Sequence, residues 1–561
     1  MTQQGDEDEM AIGLTAIWCL ALALAACVLV WLASLSALAL DGQGPHNTPL
    51  SSSPEFVFRL VQGTPAENAW ADSYVDAEPL HAGTFWWVLV SYAALVLATS
   101  VWVLLTWPHS KTTASDPAHW AGRSDERRMA VRRKPTRRRW RLVAGRGASS
   151  HRLLAGADCV SAVAFGPNGS GKTTGLIVPN VLDWDGPVVL TTAKVQDLEP
   201  ICTARAQVGP VWIVAPGGAE GHETVGWSPV AAARDPETAD RVAEWMVDSS
   251  GMTSDPKGRP WNAQARKYLK GLLLASHLVG GGISQWIRWI HAGERVRDHV
   301  EEILRSAGHE STAQEYASTW LIHEDGKGSV LFTALGLADT YSRPGIMAAS
   351  DSGGFSPTDL LDRTSTLCIV SPSGEGERFA PYFTTVVGAI IHEAESRAAA
   401  QARPIEPRLL LALDEAGNVF RYPRLPHLLT TARGNGIQLL LIYHDLAQLE
   451  HLYGGREVGR TVLSNAKMRM LLPGVGDLDT LKYWSDLMGR TLTESEGTTT
   501  SHDGRRSQTR NQHEIALAPP HVLQQLPDGE AIVLYQNLPP ARVRLLPWFA
   551  DRRFRHLKGL A

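Results

Sequence analysis

The sequence predicts an α/β fold: a phosphate-loop NTPase domain, split by an inserted all-α domain and preceded by two transmembrane helices. Three observations carry this. The octapeptide Gly166-Pro-Asn-Gly-Ser-Gly-Lys172-Thr173 sits between a strand-like apolar run and a helix-like one. Short apolar runs alternate with helical segments on both sides of a long stretch with helical periodicity alone. Two long uncharged apolar runs come before all of it.

The octapeptide has the pattern and the context of a phosphate loop. Val160–Phe165 reads as a buried strand feeding it, and Thr174–Leu182 as the helix leaving it, broken at Pro179. Glycines allow a backbone wrap that side chains forbid, so main-chain amides can point at a phosphate. The residues expected to bind a nucleotide are Gly166, Pro167, Asn168, Gly169, Ser170, Gly171, Lys172, Thr173 and Thr174. Lys172 would neutralise the β- and γ-phosphates, and the Thr173 hydroxyl would hold Mg²⁺. Chance alone would give such a pattern in roughly one comparable chain in 100.

The chain has 561 residues, enough for two or three structural units. Its net charge of -5 excludes a basic nucleic-acid coat, so any basic surface must be local. The five cysteines, Cys19, Cys27, Cys159, Cys202 and Cys368, form no CxxC, and none lies in the segment placed outside the cell. They read as buried spectators rather than disulfide or zinc ligands.

Taken in order, residues 1–10 are acidic and read as a cytoplasmic N-terminus. Residues 11–40 carry no charge and exceed the roughly 20 residues a spanning helix needs. Without a basic n-region they read as a retained anchor, not a signal peptide. Residues 85–107 form a second span, with Trp86, Trp87 and Trp107 as interfacial anchors. The loop between them, 41–84, has Arg59 as its one basic residue. Residues 108–150 are dense in arginine, from Lys111 and Arg123 through Arg137, Arg138, Arg139, Arg141 and Arg146. Positive residues stay inside, so the loop is extracytoplasmic and both termini are cytoplasmic. The same basic linker could attract anionic lipid heads or nucleic-acid phosphates.

Residues 151–234 read as the first part of the NTPase domain, with strands at Pro187–Ala193 and Pro210–Ala215 on a parallel sheet covered by helices. The all-α insertion covers 235–349, with helices at Ala239–Asp248, Asn262–Leu278, Ile283–Ala307 and Thr312–Ile322. The second part, 350–561, opens with a strand at Ser365–Ser371 and a long helix through Glu395. Arg408–Leu413 is then an apolar strand ending in Asp414 and Glu415. Asp414 would hold the metal's water shell, and Glu415 would orient or deprotonate the attacking water. Ile437–Tyr443 is another strand, with His444 and Asp445 at its C-terminal end, where open α/β sheets bind ligands. Glu494–Glu514 is polar and aperiodic and reads as a mobile surface loop. Strands at Ala531–Tyr535 and Arg542–Leu546 complete the domain.

Several of these stretches together resemble the coupling ATPases of type IV secretion and conjugation, the TraG/TraD-like family. They are Gly166–Thr173 with Leu176-Ile-Val-Pro-Asn-Val-Leu182, Trp227-Ser-Pro-Val, and Leu413-Asp-Glu-Ala-Gly-Asn418. To these are added Leu425–Gln438 containing Arg433, Leu446-Ala-Gln-Leu449, and Ser464–Pro473. The resemblance covers nearly the whole chain. It implies a RecA-like motor assembling as a ring, a homo-hexamer, with ATP between subunits. The cargo it implies is single-stranded DNA carrying a relaxase, handed to type IV secretion channel components. Arg433 would reach a neighbouring subunit's γ-phosphate, or else is a helix-terminal surface arginine. Two departures stand out. The family usually has Gln-Ser where this chain has His444-Asp445; an imidazole can still sense a γ-phosphate, but it also titrates. Thr192-Ala-Lys194 stands where relatives often carry an acid before the lysine, and Lys194 receives no role.

The expected catalytic set is therefore Lys172, Asp414, Glu415, Arg433 and His444, with Thr173 and Asp414 at the metal. The expected function is a membrane-anchored, ATP-driven DNA-transfer coupling protein. The alternatives are a coupling receptor for protein effectors and an FtsK-like double-stranded DNA pump. The last would want a C-terminal DNA-reading domain, which the sequence does not offer.

Overall fold

The computed structural model describes residues 24–43, 48–106, 117–131, 140–250, 259–371, 374–453, 455–500 and 506–560. They divide into two compact units, Met1–Asp116 and Pro117–Ala561.

In the first unit, helices Ser53–Val61 and Ala66–Ser73 occupy the segment expected as a loop. They close on an aromatic core in which Phe56 meets Trp70 and Phe85 edge-to-face, at 5.3 and 5.7 Å between ring centres. Helix Ala82–Thr106 is long and apolar enough to cross a membrane. The other expected span, 11–40, is only partly described. Residues 11–23 lie outside the described residues, and the remainder, Leu24–Leu40, is an apolar helix. Among the described residues, one helix qualifies as a span.

The second unit is built on strands β1 (Val143–Gly147), β2 (Leu153–Ala155), β3 (Ala162–Phe165), β4 (Val188–Thr192), β5 (Val211–Val214), β6 (Thr366–Val370), β7 (Leu409–Leu413), β8 (Ile437–Tyr443), β9 (Met468–Leu471), β10 (Arg490–Thr500), β11 (Arg506–Ala516), β12 (Glu530–Tyr535) and β13 (Ala541–Arg544). Eleven form one sheet in the order β2-β1-β13-β12-β9-β3-β8-β7-β4-β6-β5. From β9 to β5 neighbours run parallel, and from β9 to β2 they run antiparallel. The sheet is thus mixed rather than parallel, because β12–β13 and β1–β2 are joined by turns too short for a crossover. Central strands such as β7 (LLLAL) and β8 (IQLLLIY) are buried at every position. Buried on both faces, they need continuous apolar runs instead of alternation. One apolar core fills each face.

Between β5 and β6 the described residues form helices and turns, no strand. The neck of this excursion is closed by a parallel bridge from Gly226 to Gly354. The expected helix Ile283–Ala307 is two, Ile283–Ala292 and Arg297–Ser306, broken at Gly293 with φ +59°. Glu324–Tyr341 is a helix the periodicity did not single out, since its apolar residues run round the cylinder and leave Phe332 and Leu335 exposed.

Three further expectations need correction. Residues 494–514 are not a loop: β10 and β11 pair antiparallel from Arg490↔Ala516 to Thr500↔Arg506. Their Thr-rich sequence has β propensity but no apolar alternation, so only the pairing itself reveals them as strands. Pro179 does not break the helix after the phosphate loop. It lies at the second position of helix Val178–Leu182, behind a wide i→i+5 turn over Thr173–Ile177. That turn frees the Thr174 carbonyl, which accepts from Trp548 N–H at 3.0 Å. Finally, residues 117–131 and 140–150, read as linker, belong to the second unit. Glu126 is buried there and accepts from the amides of Ser149 and Ser150.

Candidate functional site

The C-terminal ends of β3, β8 and β7 meet at one edge, where topology places the phosphate loop between β8 and β9. Gly166 N–H donates to the Tyr443 carbonyl at 3.0 Å, so the loop starts flush with the end of β8. A Cβ on Gly166 would lie 2.6 Å from Ser170 Oγ and 2.9 Å from Leu472 Cβ, which is why only glycine fits. Gly169 and Gly171 have φ of +87° and +79°. The amides of Gly169, Gly171, Lys172 and Thr173 donate to nothing among the described residues, and Ser170 Oγ is buried without a partner. Pro167, Asn168 and Thr174 flank this cradle, with Asn168 exposed. A ring of unused donors at a helix start suits an anion.

Lys172 is 6 % exposed and Asp414 5 %. Lys172 Nζ lies 3.9 Å from Asp414 Oδ1 and 3.6 Å from Glu415 Oε1. The Thr173 hydroxyl donates to Asp414 Oδ2 at 2.5 Å, and Thr191 Oγ1 donates to the Asp414 carbonyl at 2.8 Å. Burial raises the Asp414 carboxyl above the ordinary carboxylate range; Lys172 and Thr173 oppose this, while Glu415 adds to it. Burial also raises Asp197, which Lys194 opposes and Asp414 reinforces. One lysine among these acids leaves the site short of positive charge, so the donor set of Thr173 and Asp414 fits a hard divalent cation.

Glu415 has φ +51° and ψ +42°, a left-handed conformation that costs a non-glycine residue about 1–2 kcal/mol. It turns the chain sharply off β7, so that neighbouring residues present side chains into one site. Asn418 Nδ2 donates to Glu415 Oε2 at 3.3 Å.

The structure brings together Lys172, Thr173, Asp414 and Glu415, and it sets His444 at the adjacent strand end. His444 uses its main chain here, with N–H donating to Gln448 Oε1 at 2.9 Å, and its ring makes no hydrogen bond among the described residues. Arg433 is elsewhere. It lies in the last turn of helix Leu425–Asn435, which runs back to the start of β8, and so sits at the opposite edge of the parallel strands. It is exposed and has no ion pair or hydrogen bond among the described residues. Asp197, Asn418 and Gln448 are the neighbours that sequence reasoning left without roles. For Asn418 and Gln448 the available signal was position, three and four residues beyond Glu415 and His444.

A family model described as type IV secretory system conjugative DNA transfer matches residues 118–559. A conjugal transfer protein TraG of Agrobacterium fabrum is 23% identical over 399 residues, covering 69% of this chain and 60% of its own length. A TraG of Escherichia coli is 25% identical over 382 residues, covering 62% of this chain and 57% of itself. The chain thus spans about three fifths of the length of these curated relatives. Among solved structures, the bacterial conjugative coupling protein TrwBdeltaN70 superposes with a TM-score of 0.57 at 18% identity, covering 76% of this chain and 92% of that one. The plasmid coupling protein TrwB in complex with ADP and Mg²⁺ gives a TM-score of 0.55 at 16% identity, covering 77% and 94%. These structures share the fold.

Proposed function

We propose, for a chain that belongs to the type IV secretory system conjugative DNA transfer family, the role of a membrane-anchored ATP-hydrolysing coupling protein. It recruits single-stranded DNA, or DNA with its relaxase attached, and drives it to a type IV secretion channel. The observation that carries the reading is the convergence of Lys172, Thr173, Asp414 and Glu415 on a loop of unused amides. Relatives with this fold have been crystallised with an ATP analogue and with ADP and Mg²⁺.

Lys172 would move from the two acids to the β- and γ-phosphate oxygens, where its charge is worth more in a dry site. Thr173 would hold Mg²⁺ by its hydroxyl, and Asp414 would hold the ion's water shell. The bound Mg²⁺ supplies the positive charge that the acids and phosphates lack. Glu415, released from Lys172, would orient the attacking water or take its proton. Arg433 faces away from its own site, so any role in hydrolysis falls at a neighbour's phosphate in a ring, a homo-hexamer in this proposal. His444 would act through the end of β8 and not by its ring. Helix Ala82–Thr106 would supply the membrane anchor, with the NTPase domain in the cytoplasm.

The test is the ATPase rate of the full chain in detergent, with and without single-stranded DNA, beside Lys172→Ala and Glu415→Gln. DNA-stimulated hydrolysis lost in both variants supports the proposal. Hydrolysis indifferent to DNA, but raised by a secreted protein, would replace DNA cargo with protein effectors. No hydrolysis by assembled rings would end the motor reading.

A further inference from the structure

Glu415 is the residue from which hydrolysis is expected to run, yet its carboxylate is not held by its own strand. Following its contacts outward leads to two side-chain amides in series. Asn418 Nδ2 donates to Glu415 Oε2 at 3.3 Å. Asn418 Oδ1 accepts from Gln448 Nε2 at 3.1 Å. Gln448 Oε1 accepts from the main-chain N–H of His444 at 2.9 Å. Gln448 is itself fixed, because its own N–H donates to Asp445 Oδ1 at 2.7 Å, in the cap of helix Leu446–Leu452.

The direction of this chain is forced at both ends. A main-chain N–H can only donate, so it turns the Gln448 oxygen toward His444 and leaves the Gln448 nitrogen facing Asn418. That nitrogen claims the Asn418 oxygen, and the Asn418 nitrogen is left for a carboxylate that can only accept. Each amide therefore has one orientation, set by its neighbour. The close approach is built into the backbone as well. A Cβ on Gly417 would lie 2.5 Å from Gln448 Cδ, so position 417 is kept bare for this side chain to pass.

We infer that Gln448 and Asn418 are positioning residues that set the carboxylate of Glu415 and tie it to the end of β8. This rests on the proposed role of Glu415. The end of β8 lies against β3 on one side and β7 on the other, so the relay joins the strand beside the phosphate loop to the strand that carries the acids. It also gives position 444 a part that its side chain does not decide. The residue at the strand end contributes its amide, and the glutamine four positions on carries the hydrogen bonds that reach the acid.

The test is steady-state ATP hydrolysis by the full chain, comparing wild type with Asn418→Ala, Gln448→Leu, Gln448→Glu and the Asn418→Ala/Gln448→Leu double variant. Melting temperatures are measured on the same preparations. Gln448→Glu is the discriminating substitution. It keeps the size and the acceptor for His444, but it cannot donate to Asn418. The relay predicts that all three single variants lower kcat about tenfold with KM within about twofold, as expected for a group acting only after nucleotide is bound. The double variant should fall no lower than the worse single one, because both break one chain. In a Glu415→Gln background none of them should lower the rate further. Gln448→Glu turning over at the wild-type rate, or losses that multiply in the double variant, would overturn the relay alone. A wild type that does not hydrolyse, or one indifferent to Glu415→Gln, overturns the proposed function and the relay with it.

Discussion

Lys172 shows how much a single residue's meaning depends on its partners. Held between Asp414 and Glu415, it is the one cation within ion-pair reach of either acid among the described residues. Removing it leaves the buried Asp414 carboxylate and the half-buried Glu415 uncompensated, and the proposed phosphate site without its charge. Gly166 is as demanding for a steric reason. In Gly166→Ala the new methyl would overlap Ser170 Oγ and Leu472 Cβ and push the loop off its strand. Nucleotide affinity is expected to fall at least about tenfold, read by titration with a fluorescent nucleotide. Asp248 offers a test by pH away from the site. Burial first, and then Glu244, push its carboxyl up to about 6 from 3.8, against Arg266 and Arg424. A raised carboxyl favours the folded state in its neutral form, so that contribution is present at low pH and is lost as pH rises through about 6. Asp248→Asn should therefore raise stability by about 1–2 kcal/mol at pH 8, a gain that shrinks as pH falls toward 4. Denaturant melts across that range would check it.

At the scale of elements, the two additions to the central sheet differ in what holds them. The helical insertion is packed into the apolar core that covers one face of the sheet, with Trp286 fully buried and edge-on to Tyr341 at 5.8 Å. Trp286→Ala should cost about 3–5 kcal/mol in denaturant unfolding. The β10–β11 hairpin is the opposite case. Of its side chains, those described at its base are outside both cores, and Leu492 and Ile515 there are both exposed. Leu492→Thr with Ile515→Thr should therefore shift the melting temperature by less than about 2 °C. A larger drop would mean that the strands are packed in the folded protein.

For the whole molecule, the decisive geometry is the separation of Arg433 from its own phosphate loop. The helix that bears it returns to the start of β8, whereas the loop follows the end of β3 beside it. If Arg433 serves a neighbour, Arg433→Ala and Lys172→Ala should each be inactive alone but recover part of the activity when mixed. Intact Lys172 sites on one chain would then face intact Arg433 on the other. The measurement is the ATPase rate of co-assembled variants against each variant separately. No recovery in mixed rings would leave Arg433 an ordinary surface residue.

The sequence alone determined whatever depends on local pattern. The glycine loop Gly166–Thr173 between β3 and its helix was legible because glycine spacing and the Lys-Thr pair are contiguous. β7 and β8 were legible because strands covered on both faces are unbroken apolar runs. Asp414 and Glu415 were legible as acids ending such a run. Only the tertiary structure decided the features that rest on contacts distant in sequence. The antiparallel end of the sheet depends on β1, from the supposed linker, pairing with β13 nearly 400 residues later. The hairpin was hidden because its polar, Thr-rich sequence carries no hydrophobic period. Glu415 is reached through Asn418 and Gln448 only because β7 and β8 lie side by side. No spacing in the chain marks which of two amides will face an acid, since hydrogen-bond direction is set by partners that folding brings together.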